Sequence, residues 1–302
     1  MRIVVSGSSG LIGSALVAEL GQAGHSVSRL VRSRTARVTT ERLILWDPES
    51  GAIDAAALEA HDAAVHLAGE SIFGLWTGSK KRAIRNSRMR GTTLLSRTLA
   101  GLQQPPRVLI SASAIGYYGN RPAGEPVTES GSRGGGFLAE VVERWEECTA
   151  PARAAGIRVA NPRFGLILSR DGGALAVMLP VFQAGLGGKL GSGSQIWSWI
   201  TLSDVVGGIV HVVSNDTLFG PINFTAPEAV SNEVFTRVLA RVLNRPTFLH
   251  VPAFVMRLVG QQMAEELLLS GVRAVPGKLL DSGYRFLHAE LEPALRAVVD
   301  RE

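Results

Sequence analysis

Three glycines, Gly7, Gly10 and Gly13, recur at three-residue intervals in RIVVSGSSGLIGSALVAEL, between an apolar run and an amphipathic one. A bare backbone at that spacing suits the docking of a dinucleotide pyrophosphate. The first glycine permits a tight turn, the second lets the main chain approach the phosphates, and the third lets a helix pack closely on the strand. The helix start then offers unpaired N–H groups and a positive dipole end to the anion. The spacing is Gly-x-x-Gly-x-x-Gly rather than Gly-x-Gly-x-x-Gly. The alternative, a tight turn made of small residues, does not require the third glycine inside the helix. An NAD site wants an acidic residue about 20 positions on, to bind the ribose 2′-hydroxyl. No Asp or Glu lies between Glu19 and Glu41. That stretch, SRLVRSRTAR, carries Arg29, Arg32, Arg34 and Arg37 instead, with Arg32 where the second strand should end. A guanidinium there suits a bidentate contact with a 2′-phosphate. The pattern predicts NADP(H) over NAD(H); the alternative is a solvent-facing arginine on a basic loop.

The elements that must position these groups are a strand over Arg2 to Ser6 and a helix over Leu11 to Ala23. That helix has Leu11, Ala15, Val17 and Ala18 at helical spacing and is stopped by Gly24. Ser26 to Val31, Arg42 to Leu45, Ala63 to Leu67, Arg107 to Ser111 and Arg158 to Pro162 read as further strands. Lys80 to Leu102 and Phe137 to Ala155 read as helices. Strands alternating with helices predict an α/β fold, a doubly wound parallel sheet of Rossmann type. Gly185 to Ser194 reads as a glycine-rich loop. From Arg245 onward, short helices punctuated by Pro252, Pro276 and Pro293 predict a small, mostly helical C-terminal lobe. Residues 1–244 would then form the nucleotide-binding domain with part of a substrate pocket, and residues 245–302 the lobe.

With 302 residues, the chain can bury about three quarters of its unfolded surface, so it needs neither metal nor disulfide for stability. Cys148, the only cysteine, fits a reducing compartment and reads as a small buried apolar residue. No apolar run reaches the roughly 18 residues of a spanning helix, and Arg2 leads directly into a strand with no signal peptide pattern. The expectation is a cytoplasmic protein without membrane contact. The net charge of +5 is modest. Its one cluster, Lys80, Lys81 and Arg82 with Arg85, Arg88 and Arg90, lacks interleaved aromatic residues. It reads as a solvated helical face, Arg88 excepted, rather than a nucleic-acid site. The six histidines show no ligand spacing, so no metal site is expected. His66 reads as a satisfied core histidine rather than a base. Asp204 reads as a helix cap, Trp197 and Trp199 as packing between lobes or as a pocket wall, and Arg163 equally as an ion-pair partner or a substrate-anion contact.

VSGSSGLIG, HLAGES and SASAIGYYG together resemble the extended short-chain dehydrogenase/reductases. RNSRMRGTTLL, RWEECTA, NPRFGLIL, GLGGKLGSGSQIWSWITLSDV and VPGKLLDSGYRF narrow this to the atypical branch called epimerase family proteins. The resemblance spans nearly the whole chain. It implies an NADP(H)-binding Rossmann-type domain with a small C-terminal lobe, and a possible homodimer through two long helices. It carries over the pyrophosphate loop to Gly7, Ser8, Ser9, Gly10, Leu11, Ile12 and Gly13. It places Val31 and Arg32 at the adenine ribose, and Leu67 and Ala68 beneath the adenine and ribose. Arg88 falls on the helix crossing near the cofactor, and Ile167 at the nicotinamide end.

In that superfamily a serine and a tyrosine hold the reacting oxygen, and a lysine four residues after the tyrosine lowers its pKa. Hydride transfer at carbon must be matched by proton transfer at oxygen. Ser113 matches the serine, and Tyr117 and Tyr118 follow it. Where Tyr-x-x-x-Lys should stand, the chain reads FLAEVVERWEE, which puts Leu138 and Val142 at the two positions. Three readings remain open. The first is an oxidoreductase or epimerase acting on an unidentified small molecule with a relocated acid, drawn from Ser113, Tyr117, Tyr118 or Glu70. The second is an NADPH-binding sensor without turnover, and the third a merely structural turn at Ser113.

Overall fold

The computed structural model describes residues 1–32 and 42–300. Arg34 and Arg37 lie outside the described residues. Seven parallel strands form the main sheet: β1 (Arg2–Ser6), β2 (Ser26–Val31), β3 (Arg42–Asp47), β4 (Ala63–His66), β5 (Val108–Ser111), β6 (Arg158–Phe164) and β7 (Gly220–Phe224). Their order is β7-β6-β5-β4-β1-β2-β3, with Ala52–Ile53 added antiparallel on β3 and the short strand Ser113–Ala114 added in parallel on β6. The chain winds outward from β1 to β3, then returns to β4 on the other side of β1. The crevice at the carboxyl ends of β1 and β4 is therefore where such a sheet takes a ligand.

The strands read as continuous apolar runs because both faces are covered. In β1, Ile3 and Val5 point to one core and Val4 to the other, as the two-residue period of a strand demands. The first core holds α1 (Leu11–Gln22) and, further along the chain, the helix Leu202–Ser214. The opposite core holds α2 (Gly78–Ala100) through Leu95 and Leu99. The face α1 buries is Gly13, Leu16, Val17 and Leu20; Ala18, expected on that face, is exposed. Gly24, at φ +76°, follows α1 in a conformation an L side chain rarely takes. The single helix expected over 137–155 is two, α3 (Phe137–Glu147) and α4 (Ala150–Ala154). Cys148, between them, is half-exposed rather than buried.

Beyond β6 come α5 (Gly173–Gln183), α6 (Leu202–Ser214), α7 (Asn232–Leu243), α8 (Ala253–Ala264), α9 (Gly277–Asp281) and α10 (Leu291–Val299). The expected loop at 185–194 contains a short strand, Gly188–Leu190, paired in parallel with Leu249–Val251. Trp197 and Trp199 join Phe182, Phe235 and Leu239 in a core that also takes Leu291 and Leu295 of α10, so they pack elements together rather than wall a pocket. Asp204 is not the cap of α6. That role falls to Thr201, whose Oγ1 accepts the Asp204 N–H at 3.2 Å. The fully buried Asp204 carboxylate instead accepts the N–H groups of Leu287 at 2.7 Å and His288 at 3.1 Å, and the Tyr284 hydroxyl at 3.2 Å. Ser198 ties the tail in a second place, donating to the Val272 carbonyl at 2.8 Å and accepting from Ala274 N–H at 2.9 Å.

Candidate functional site

The turn after β1 is built around the absence of side chains. Gly7 has φ +68°, and a Cβ there would lie 2.7 Å from the Leu67 carbonyl carbon and the Ala68 nitrogen. A Cβ on Gly13 would lie 2.2 Å from the Gly7 oxygen. The loop thus presses against the exit of β4 on one side and the first turn of α1 on the other. Gly10 is the N-cap of α1 and supplies no side-chain cap, which leaves the first N–H groups of the helix facing outward. Ser8 is buried, and its carbonyl accepts from Arg29 Nη1 at 3.5 Å. Val31 is half-buried at the end of β2 and Arg32 beyond it is exposed. Ile167 lies in the short strand Leu166–Leu168, its carbonyl 3.7 Å from a Cβ built on Gly173.

Arg88 lies behind the β4 exit. Its Nη1 donates to the Glu70 carbonyl at 3.0 Å and the Ile84 carbonyl at 3.2 Å, and its guanidinium lies over the Trp145 ring at 4.9 Å. Burial lowers its pKa to about 10, which leaves it cationic at neutral pH. His66 is a core histidine. It is fully buried, with Nδ1 2.6 Å from Ser6 Oγ and Nε2 3.0 Å from Thr92 Oγ1. Burial lowers its pKa to about 4.

Ser113 and Tyr117 are brought together around one ion pair. Ser113 is 2% exposed, and its hydroxyl donates to Glu146 Oε1 at 2.5 Å. The same carboxylate accepts Arg163 Nε at 2.7 Å and Nη2 at 2.8 Å, a bidentate clamp. The guanidinium lies 3.6 Å from the Tyr117 ring centroid and donates through Nη1 to the Tyr118 hydroxyl at 2.9 Å. Burial of Arg163 favours its neutral form, but the hydrogen bonds and charge of Glu146 outweigh that and raise its pKa. Arg163 is therefore an ion-pair partner. Tyr118 is fully buried, donates to Asn223 Oδ1 at 2.7 Å, and has its pKa raised by burial. Glu70 forms an exposed ion pair with Lys80 at 2.7 Å; that hydrogen bond lowers its pKa, the wrong direction for a proton donor at neutral pH. Tyr117 is half-buried and borders a cleft of about 750 Å³ that Glu143, Glu146 and Arg153 also line.

α3 contains neither tyrosine nor lysine. Leu138 packs against the Gly116 backbone, its Cβ 3.4 Å from a Cβ built there. The start of α3 carries a group that sequence reasoning missed. Glu266 accepts the N–H groups of Phe137 at 3.0 Å and Leu138 at 2.8 Å, and Gln262 Nε2 at 2.7 Å. Gln262 in turn accepts from Lys81. No local spacing signals this, because Glu266 and Phe137 stand 129 positions apart. Glu266 lies in a π-turn, Glu265–Leu269, just after Gln261, whose φ of +48° is strained for a residue with a side chain.

Comparison with known proteins places this geometry. The model of the NAD dependent epimerase/dehydratase family matches residues 3–224, and that of a domain of unknown function, DUF1731, matches residues 251–298. The epimerase family protein Mb2239 of Mycobacterium bovis is 43% identical over 97% of this chain and 96% of its own. The crystal structure of the human epimerase family protein SDR39U1 (isoform 2) with NADPH superposes with a TM-score of 0.90 at 31% identity, covering all of both chains. A nucleoside-diphosphate sugar epimerase from Corynebacterium glutamicum gives a TM-score of 0.80 at 35% identity, over 99% of this chain and 58% of that one. Among the described residues, no helix is long and apolar enough to cross a membrane.

Proposed function

The chain belongs to the NAD dependent epimerase/dehydratase family, and on that premise we propose that it binds NADP(H) and acts as an oxidoreductase or epimerase on a small molecule, without the usual Tyr-x-x-x-Lys pair. The observation that carries this reading is the cradle at Gly7, Gly10 and Gly13. A Cβ at the first or third glycine would overlap backbone atoms, and the uncapped start of α1 points N–H groups outward. Such a turn has the shape and polarity a pyrophosphate needs. The NADPH of the human relative supports the same assignment.

Gly7 to Gly13 would hold the pyrophosphate, Leu67 and Ala68 the ribose edge, and Ile167 the nicotinamide end. Arg32 would meet the 2′-phosphate and Arg88 would brace the Gly69–Glu70 main chain beneath it. When bound, NADPH supplies a hydride. Ser113 would orient the substrate oxygen from the end of β5, and Tyr117 is the proton donor that remains. Its neighbour Arg163 lies against the ring face and holds the ring in place.

One observation favours a second reading, an NADPH-binding sensor without turnover. The Ser113 hydroxyl is committed to Glu146, Tyr118 to Asn223, and Glu70 to Lys80.

Titration with NADPH and NADH, followed by reduced-nicotinamide fluorescence, tests the shared premise. Arg32→Ala should weaken NADPH by about ten- to a hundredfold, the loss of a charge-assisted contact, and leave NADH nearly unchanged. An equal effect on both would refute the role of Arg32, and binding of neither would refute the function. If NADPH binds, a carbonyl panel separates enzyme from sensor, and turnover that survives both Ser113→Ala and Tyr117→Phe would remove those residues from the chemistry.

A further inference from the structure

Exposed large apolar side chains are ordinary when scattered and informative when gathered. Here they gather. Phe73, Leu75, Val181, Leu186, Phe254 and Leu258 are each 46–78% exposed. They sit on three segments: the loop leaving β4, the end of α5 with the turn after it, and α8. Contacts join these segments into a rim around the carboxyl end of the sheet. Leu11 of the glycine loop packs against Gly172 at the head of α5, 3.3 Å from a Cβ built there. The strand after α5, Gly188–Leu190, pairs with Leu249–Val251, which leads through Pro252 into α8. Met263 near the end of α8, and Leu267 beyond it, join Ile72 and Trp76 of the loop leaving β4 in one apolar cluster. That loop returns to Leu67 and Ala68, against Gly7. The rim thus begins and ends at the proposed cofactor loop.

α8 has two apolar faces. Met256, Gly260 and Ala264 are buried, while Phe254 and Leu258, four residues apart, share an exposed stripe.

The charged side chains of the same segments already have partners. Glu70 pairs with Lys80 at 2.7 Å, Lys189 with Glu233 at 4.0 Å, and Arg257 with Glu265 at 2.7 Å. Glu266 caps α3, and His250 hydrogen-bonds the Gly191 carbonyl at 2.7 Å. A nucleotide diphosphate would require guanidinium or ammonium groups ready to meet its phosphates. Lys189 and Arg257 on these segments each face a carboxylate instead, and Lys81, which reaches α8 from the start of α2, is held by the Gln262 amide oxygen and the Phe137 ring.

We propose that the mouth framed by α5, α8 and the loop leaving β4 takes an uncharged, largely hydrocarbon substrate. Its single carbonyl or hydroxyl points down toward Ser113, and its chain lies against the stripe of Phe254 and Leu258. The inference rests on the NADP(H) site proposed above and assigns the substrate class of that same site. It separates this chain from enzymes that bind sugars through a nucleotide diphosphate.

The test uses the NADPH-saturated protein and a series of straight-chain 2-alkanones of rising length, with UDP-glucose as the competing class. Binding is read by calorimetry, so turnover is not required. The expected result is a Kd that tightens by about fourfold per added methylene until the mouth is filled, the factor that burial of one CH₂ supplies. Phe254→Ser with Leu258→Ser should flatten that slope and leave the Kd for NADPH unchanged. NADPH bound with no dependence on chain length, or UDP-glucose bound more tightly than every alkanone, would overturn the substrate class. Failure of NADPH itself to bind would overturn the cofactor reading instead, and the two failures are told apart in the first titration. A chain-length slope that survives the double substitution would overturn the role of α8.

Discussion

Removal of Glu146 should be among the most damaging single changes in the sheet region. Its carboxylate accepts three short bonds, from Ser113 Oγ, Arg163 Nε and Arg163 Nη2, at 2.5, 2.7 and 2.8 Å. The Arg163 side chain is 3% exposed and that of Glu146 15%. Glu146→Ala therefore leaves a guanidinium charge buried, with only tyrosine rings and the Tyr118 hydroxyl beside it. Breaking a buried pair from one side costs about 3–5 kcal/mol. Ring faces return about 2 kcal/mol at best, and they are present in the native protein as well. Arg163→Met should cost less, toward about 3 kcal/mol, because the orphaned carboxylate borders the 750 Å³ cleft and can take up water there. Combining Glu146→Ala with Arg163→Met removes both charges, so the cost of the double should fall short of the summed singles by about 2 kcal/mol. Equilibrium urea unfolding of the four proteins at neutral pH, followed by far-ultraviolet circular dichroism and tryptophan fluorescence, reads this directly. Singles that cost under about 1 kcal/mol, or that add within about 0.5 kcal/mol, would refute the picture of a desolvated pair.

Two further outcomes are expected. His66 titrates at about 4 when folded because burial disfavours its charged form, against about 6.5 when unfolded. Its contribution to stability is therefore complete above about pH 6.5 and is lost as pH falls toward 4, at up to about 1.4 kcal/mol per pH unit. Urea midpoints should fall more steeply with acid in the native protein than in His66→Gln; equal losses would remove His66 as the source. Asp204→Ala leaves the N–H groups of Leu287 and His288 without their acceptor, at about 1–3 kcal/mol each. Hydrogen exchange at those two amides should accelerate while Val4 and Val5 of β1, paired on both sides, stay protected, and unchanged protection at Leu287 and His288 would refute the anchor.

The glycine turn, the alternation of strands and helices that gives a parallel sheet, and the core character of His66 were legible because each is written in neighbouring residues: turn chemistry, apolar runs and a histidine inside a strand. Ser26 to Val31 was legible to the residue. What escaped depends on partners far along the chain. Asp204 carries the local signature of a cap, and only the amides at 287 and 288 reveal it as an anchor. Tyr118 and Glu70 looked available as acids until Arg163, Asn223 and Lys80 were found against them. Glu266 lies in EELLLS, with no periodicity that points to α3. The break between α3 and α4 was missed because Ala150 to Ala154 continues a helical composition past Cys148 and Thr149.

The ties at Asp204 and Ser198 bear on how this chain is inherited. The stretch matched by the epimerase/dehydratase model ends at 224, and the DUF1731 stretch runs from 251 to 298. Yet Ser198 holds Val272 and Ala274, and Asp204 holds Leu287 and His288. The tail carries the amides and the sheet region carries their acceptors. Grafted onto a sheet lacking a hydroxyl and a carboxylate at those two places, the tail would bring buried N–H groups with nothing to receive them. Lineages that lose the tail are likewise freed to change Ser198 and Asp204. The two stretches, separable as patterns, should travel through evolution as one unit, with those two side chains recording whether the tail is still there.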